Sequence, residues 1–168
     1  GPSPSRPFRE GADAAAAPGP PRRLLLVTLH RREIFGAPLR AMGHALLEIL
    51  RRDQNLEIVY PMHPNPEVSR SLSRILRHPR LLLRAPMPYM EFLDLMRRAY
   101  IILTDSGGIQ EEAACQHKPV IVARDVTERP ELIEAGAGVL AGIAPQGLLR
   151  ETSRLLSDAA LHSKMSRA

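Results

Sequence analysis

The run Thr104-Asp105-Ser106-Gly107-Gly108-Ile109-Gln110-Glu111-Glu112-Ala113 follows a purely apolar stretch, Tyr100-Ile101-Ile102-Leu103, and opens a segment of good helix formers. Strand, small-residue turn and helix is the geometry of a phosphate cradle. Glycines let the backbone come close to a ligand, and the first free N–H groups of the helix point at it with the positive end of the helix dipole behind them. Glu112 lies one helical turn beyond Gly108. A carboxylate there does not favour phosphate, but it accepts hydrogen bonds from ribose hydroxyls, so the pattern points to a nucleotide. The same residues also fit a tight strand-to-helix turn with an acidic first helical turn. A lone Gly-Gly turn does not choose between the two.

Three further polar clusters each follow an apolar strand. Leu24-Leu25-Leu26-Val27-Thr28 runs into Leu29-His30-Arg31-Arg32-Glu33. Leu56-Glu57-Ile58-Val59 runs into Tyr60-Pro61-Met62-His63-Pro64-Asn65-Pro66, and Pro119-Val120-Ile121-Val122-Ala123 into Asp125-Val126-Thr127-Glu128-Arg129-Pro130. In a parallel sheet all of these clusters lie on one edge, where open α/β sheets keep their ligands.

The elements that must position them recur at regular spacing. Pro38 is placed for a helix start, and Leu39, Met42, Leu46, Ile49 and Leu50 then follow at helical spacing to about Arg52. Strands are expected at 24–28, 56–60, 81–83, 100–104 and 119–123, with a last short one from Gly138 to Ala141. Between them the spacing predicts helices from Pro66 to about Arg77, around Tyr89 to Met96, from Gly107 and over 129–135, with closing helices near 145–157 and 159–166. Alternating strands and helices with short loops give an α/β fold with a parallel sheet and right-handed crossovers.

The chain has 168 residues, enough for one domain with a substantial core. Residues 1–23, rich in Pro, Ala, Gly and Arg, read as a disordered leader, leaving 24–168 as the folded domain. That leader lacks the apolar core of about 7–15 residues that a signal peptide needs. The sequence holds no stretch of about 18 apolar residues, so no membrane-spanning helix is expected. The single cysteine, Cys115, lies in a helix with apolar neighbours and reads as a buried structural thiol, which fits a reducing cytoplasm. The net charge of +5 rests on arginine, with Lys118 and Lys164 the only lysines. Arginine pairs fall in different elements and aromatics are scarce, which argues against nucleic acid as a partner. No metal-ligand spacing is visible and no cofactor is implied.

His-Arg-Arg-Glu at 30–33, His-x-Asn-Pro at 63–66, the Thr104 to Ala113 run and Arg-Asp-x-Thr-Glu-Arg-Pro at 124–130 occur in that order. Together they resemble the C-terminal domain of the non-hydrolysing UDP-N-acetylglucosamine 2-epimerases, from about Leu24 to Ala168. The resemblance implies a single Rossmann-like domain, the second half of the two-domain glycosyltransferase-B architecture. It implies inversion at C2 of UDP-N-acetylglucosamine, giving UDP-N-acetylmannosamine by elimination and re-addition of UDP. The family's acidic catalytic residues lie on an N-terminal domain that this chain does not include, so the fragment alone is expected to be inactive. A homodimer is implied for the full-length enzyme. A non-catalytic UDP-sugar-binding module, a truncated gene product and the donor domain of a glycosyltransferase are the alternative readings.

By the same resemblance His30 corresponds to a histidine important for catalysis, with Arg31, Arg32 and Glu33 in its motif; one arginine could pair with Glu33 and steady the loop. Ser106, Gly107, Gly108 and Glu112 match positions that bind the diphosphate and ribose, and Asp105 is read as capping or orienting the turn. Arg129 matches a substrate-contacting arginine, whose planar fork suits a diphosphate; its other reading is an ion pair with Glu128 or Glu131. Phe92 matches a base-contacting position or belongs to the core. His63 matches a position tied to a second, regulatory UDP-sugar. Departures from the family pattern are Leu29, Ile34, Met87 and Ala114-Cys115-Gln116-His117, and a further Asn-Pro-Tyr-Gly-Asp-Gly motif is expected beyond Ala168.

Overall fold

The computed structural model describes residues 21–168; most of the segment read as a leader lies outside them. Arg23 is not part of a leader. It opens the first strand, its backbone N–H donating to the carbonyl of Asn55.

The strands are β1 (Arg23–Thr28), β2 (Leu56–Pro61), β3 (Leu81–Arg84), β4 (Ile101–Thr104), β5 (Val120–Val122) and β6 (Gly138–Leu140). They form one parallel sheet in the order β3-β2-β1-β4-β5-β6. The helices are α1 (Ala37–Arg52), α2 (Pro66–Ile75), α3 (Tyr89–Arg98), α4 (Gly107–Cys115), α5 (Pro130–Glu134), α6 (Pro145–Ser157) and α7 (Ala159–Ser166). A short 3-10 turn at Arg32–Ile34, which periodicity did not show, carries the chain from β1 towards α1.

β1 is buried on both faces, and its alternation assigns its leucines to two cores. Leu25 and Val27 join α1, α2, α6 and α7 through Met42, Leu46, Leu72, Leu148 and Met165. Leu24 and Leu26 join α3, α4 and α5 through Leu95, Met96, Ala113 and Leu132. Helix starts follow their local chemistry. Gly36, at φ +85°, turns the chain into α1, where Pro38 stands in the first turn. Asn65 caps α2, accepting the Glu67 N–H at 2.9 Å. Just past the carboxyl end of β6 the first turn of α6 packs very close to the chain: a methyl group at Gly147 would collide with the Ala141 carbonyl oxygen.

One expectation about a side chain changes. Cys115 is exposed, because the last turn of α4 turns that position away from the core that Ala113 enters. His78 is only half-exposed and accepts the Arg80 N–H at 3.0 Å; burial, and then the Arg80 charge, hold its pKa below the ordinary value.

Candidate functional site

From β1 the chain steps outward to β2 and β3, then returns across the sheet to β4 on the other side of β1. The carboxyl ends of β1 and β4 therefore flank the point where strand order reverses, which is where doubly wound sheets open a crevice for ligands. His30-Arg31 and Asp105-Ser106-Gly107 occupy those two ends.

Asp105 ties the ends together. Its carboxylate is only 1% exposed and accepts the His30 N–H at 3.0 and 3.1 Å and the Arg31 N–H at 2.8 Å. The Arg31 side chain returns a bond from Nε to the Asp105 carbonyl at 2.9 Å. Asp105 thus holds the histidine loop rather than capping α4. Ser106 does the capping, accepting the Ile109 N–H at 3.4 Å. Beneath them the Thr28 hydroxyl donates to the Thr104 hydroxyl oxygen at 2.8 Å, and that oxygen accepts the Ser106 N–H at 3.0 Å. Buried Tyr60 supports the loop from below, donating to the Leu29 carbonyl at 3.0 Å. Burial, and then the charge of Asp105, raise its phenol far above the ordinary range, so it stays a donor.

His30 sits half-exposed over this frame. Its Nε2 lies 3.1 Å from the Pro61 carbonyl, which can only accept, so Nε2 carries a proton and Nδ1 is the free nitrogen. The His63 ring stands edge-on to His30 at 5.7 Å and to Phe35 at 5.3 Å. His63 Nδ1 accepts the Asn65 N–H at 3.0 Å, so the His-x-Asn-Pro motif also builds the entry to α2.

Arg31 pairs with Glu128 at 3.1 Å and not with Glu33, and Arg124 binds the same Glu128 oxygen at 3.1 Å. The Arg124 and Arg31 hydrogen bonds hold the Glu128 carboxyl below its ordinary range, which makes it a poor proton acceptor. Glu33 is exposed and lines a crevice of about 220 Å³ with Arg31, Asp105, Arg124 and Asp125.

On the other side, Arg129 lies over the start of α4. A methyl group at Gly107 would come within 3.8 Å of an Arg129 guanidinium nitrogen and 3.6 Å of a Glu128 carboxylate oxygen. Those are ordinary van der Waals distances, so the fold itself tolerates a small side chain at Gly107, which has no left-handed backbone either. Gly108 has open space where a side chain would be. Arg129 forms its ion pair with Glu111, neither of the two partners considered from sequence. Glu112, one turn along α4, has a buried Oε2 with no protein partner. The Tyr89 phenol nearby is raised by desolvation and then by the Glu112 charge. Phe92 is partly buried and packs on the core cluster of α3 and α4 beside Met87. Among the described residues no group of three or more His, Cys, Asp or Glu is placed to hold a metal ion.

The fold brings His30, Arg31, Ser106, Gly107 and Arg129 to one edge, with His63 touching the histidine loop and Glu112 one turn along α4. Sequence reasoning undervalued Asp105 and passed over Tyr60, Tyr89, Gln110 and Arg124. An acid between the end of an apolar strand and a Ser-Gly-Gly turn was the available signal for Asp105.

A doubly wound α/β domain, with helix N–H groups, arginine and histidine at its switch point, is defined by this fold and site. The family model for UDP-N-acetylglucosamine 2-epimerase matches residues 7–168, beginning inside the segment read as a leader. The chain belongs to that family. It is 47% identical over 150 residues to the UDP-N-acetylglucosamine 2-epimerase of Escherichia coli K12, covering 89% of this chain and 40% of that protein. A Staphylococcus aureus protein solved with UDP superposes with a TM-score of 0.84 at 40% identity, over 88% of this chain and 40% of the other. The Neisseria meningitidis UDP-GlcNAc 2-epimerase solved with UDP-GlcNAc gives 0.83 at 37% identity, over 86% and 39%. The chain thus spans about 40% of the length of the curated relatives it matches, their C-terminal part. No described helix is long and apolar enough to cross a membrane.

Proposed function

We propose that this chain is the leaving-group half of a UDP-N-acetylglucosamine 2-epimerase, with residues 24–168 as its C-terminal nucleotide-binding domain. The observation that carries the reading is the Arg129 guanidinium packed over Gly107 at the start of α4, beside the Asp105-clamped His30 loop. Helix N–H groups, Arg129 and His30 would together stabilise the charge of a departing diphosphate, an electrostatic task suited to fixed donors. Ser106, Gly107 and Gly108 take the diphosphate, Glu112 the ribose hydroxyls, and Phe92 with Tyr89 the base side. Arg31 steadies the loop through Glu128, and Glu33 faces the crevice where the sugar approaches.

Removing and returning the proton at C2 is acid–base work. Glu128 is held ionised by two arginines and the Asp105 carboxylate is engaged by the His30 and Arg31 N–H groups, so that chemistry is assigned to the N-terminal domain of the full-length enzyme. His63, edge-on to His30, serves a regulatory sugar-nucleotide site. The full-length enzyme acts as a homodimer in the cytoplasm.

Titration of the 168-residue chain with UDP, followed by backbone amide NMR, tests the reading. Half a cleft should bind weakly, on the order of 0.1–1 mM. Glu112→Ala should weaken uridine and UDP alike. Unmoved amide signals over 104–112 at several times that concentration would overturn the reading.

A further inference from the structure

Gln110 is 0% exposed, although it lies in the first turns of α4 between exposed Gly108 and exposed Glu111. Burying a primary amide is costly unless its polar atoms are engaged. Its Oε1 accepts the Thr127 hydroxyl at 2.9 Å. The Thr127 oxygen accepts the Arg129 N–H at 3.0 Å. In this relay the amide oxygen accepts and the Arg129 backbone N–H donates; the Gln110 Nε2, also buried, has no partner among the described residues, so Thr127 is the one group that holds the amide. Arg129 itself sits at φ −124° and ψ 65°, outside the helical and strand basins, immediately before α5. Pro130, which follows, keeps Arg129 out of the helical region, so the relay acts on a backbone that is already non-helical. At the other end of the residue, Glu111 pairs with the guanidinium. Consecutive residues of α4 therefore grip Arg129 twice, once through its backbone and once through its side chain.

We propose that Gln110 and Thr127 are positioning residues for diphosphate recognition: their relay sets the backbone of Arg129, and with it the guanidinium over the start of α4. The proposal rests on the UDP reading above. A relay of this kind acts only on what Arg129 touches. Its loss falls on the diphosphate and spares the nucleoside, whereas a general loosening of the domain weakens both.

The test is NMR titration of the whole chain with UDP and, separately, with uridine. Thr127→Val keeps the shape and removes the hydroxyl; it should weaken UDP about 5–10-fold, part of the worth of a hydrogen bond to a charged group. Uridine binding should stay within about twofold, and Thr127→Ser should restore UDP binding. Gln110→Met removes the acceptor with an apolar side chain of similar size and should weaken UDP as Thr127→Val does. Hydrogen exchange of the Arg129 N–H, which needs no ligand, should quicken in Thr127→Val and return to the parent rate in Thr127→Ser. If Thr127→Val does not fold, Thr127→Ala carries the same comparison. Unchanged UDP binding in the valine variant, or equal loss of UDP and uridine, overturns the relay alone. A parent chain that does not bind UDP overturns the nucleotide reading and this proposal with it, whatever the exchange rates show.

Discussion

Removing the Asp105 carboxylate should cost more stability than any other single polar change at the site. Two backbone N–H groups, those of His30 and Arg31, converge on a carboxylate that is 1% exposed. Each hydrogen bond to a charged group is worth about 1.5–3 kcal/mol. In Asp105→Ala both donors lose their acceptor, though the half-buried loop lets water recover part of the loss, so the net cost is roughly 3–5 kcal/mol. At about 2–4 °C per kcal/mol for a domain of this size, the melting temperature falls by roughly 6–20 °C. Asp105→Asn keeps one acceptor oxygen but turns an amide donor towards a backbone donor, so about half that loss is expected, roughly 1.5–2.5 kcal/mol. Urea unfolding followed by circular dichroism gives the stability change. Amide shifts at 29–32 report whether the loop has moved. If Asp105→Ala lies within about 0.5 kcal/mol of the parent, the range of an ordinary surface change, or leaves those shifts in place, then the clamp does not hold the His30 loop.

Gly147→Ala places a methyl group against a backbone carbonyl that cannot swing aside, and should cost about 3 kcal/mol or more in urea unfolding, at the upper end for overpacking. Glu128 has a lowered folded-state pKa, so its bridge between Arg31 and Arg124 contributes above the unfolded carboxylate value of about 4.3 and is lost as pH falls through the folded value. Glu128→Gln should therefore flatten the acid limb of stability below about pH 4.3 in urea midpoints measured from pH 6 to 3. In the full-length enzyme, His63→Ala should alter substrate cooperativity while sparing the basal step; isotope exchange at C2 lost as deeply as in His30→Ala counts against the regulatory role. The chain alone should not exchange the C2 proton of UDP-N-acetylglucosamine in heavy water at a useful rate, since missing acid–base groups cost about 10²–10⁴-fold. Exchange near the rate of an intact relative would place the base on this half.

The architecture was legible from the sequence because the strands buried on both faces are mostly apolar and α1, α2, α3 and α6 each show one apolar stripe. β1 and β4 could be read as Leu24–Thr28 and Tyr100–Thr104 because nothing else explains such runs ending in polar clusters. The four motifs were enough to place His30, Ser106, Gly107 and Arg129 on one edge, since a parallel sheet puts all its strand ends together. Partners were not legible, because pairing depends on separations in space that spacing along the chain does not encode. Glu33 is three residues from His30, yet Arg31 pairs with Glu128, 97 residues away, and Arg129 with Glu111 across two elements. Asp105 looked like a local cap because its neighbours are a turn and a helix; only the adjacency of β1 and β4 made it the acceptor for the histidine loop. Cys115 and Gln110 were settled the same way. Helical phase close to a terminus is too short to fix a face, so the cysteine turned outward and the glutamine inward once α4 packed against β5 and α5.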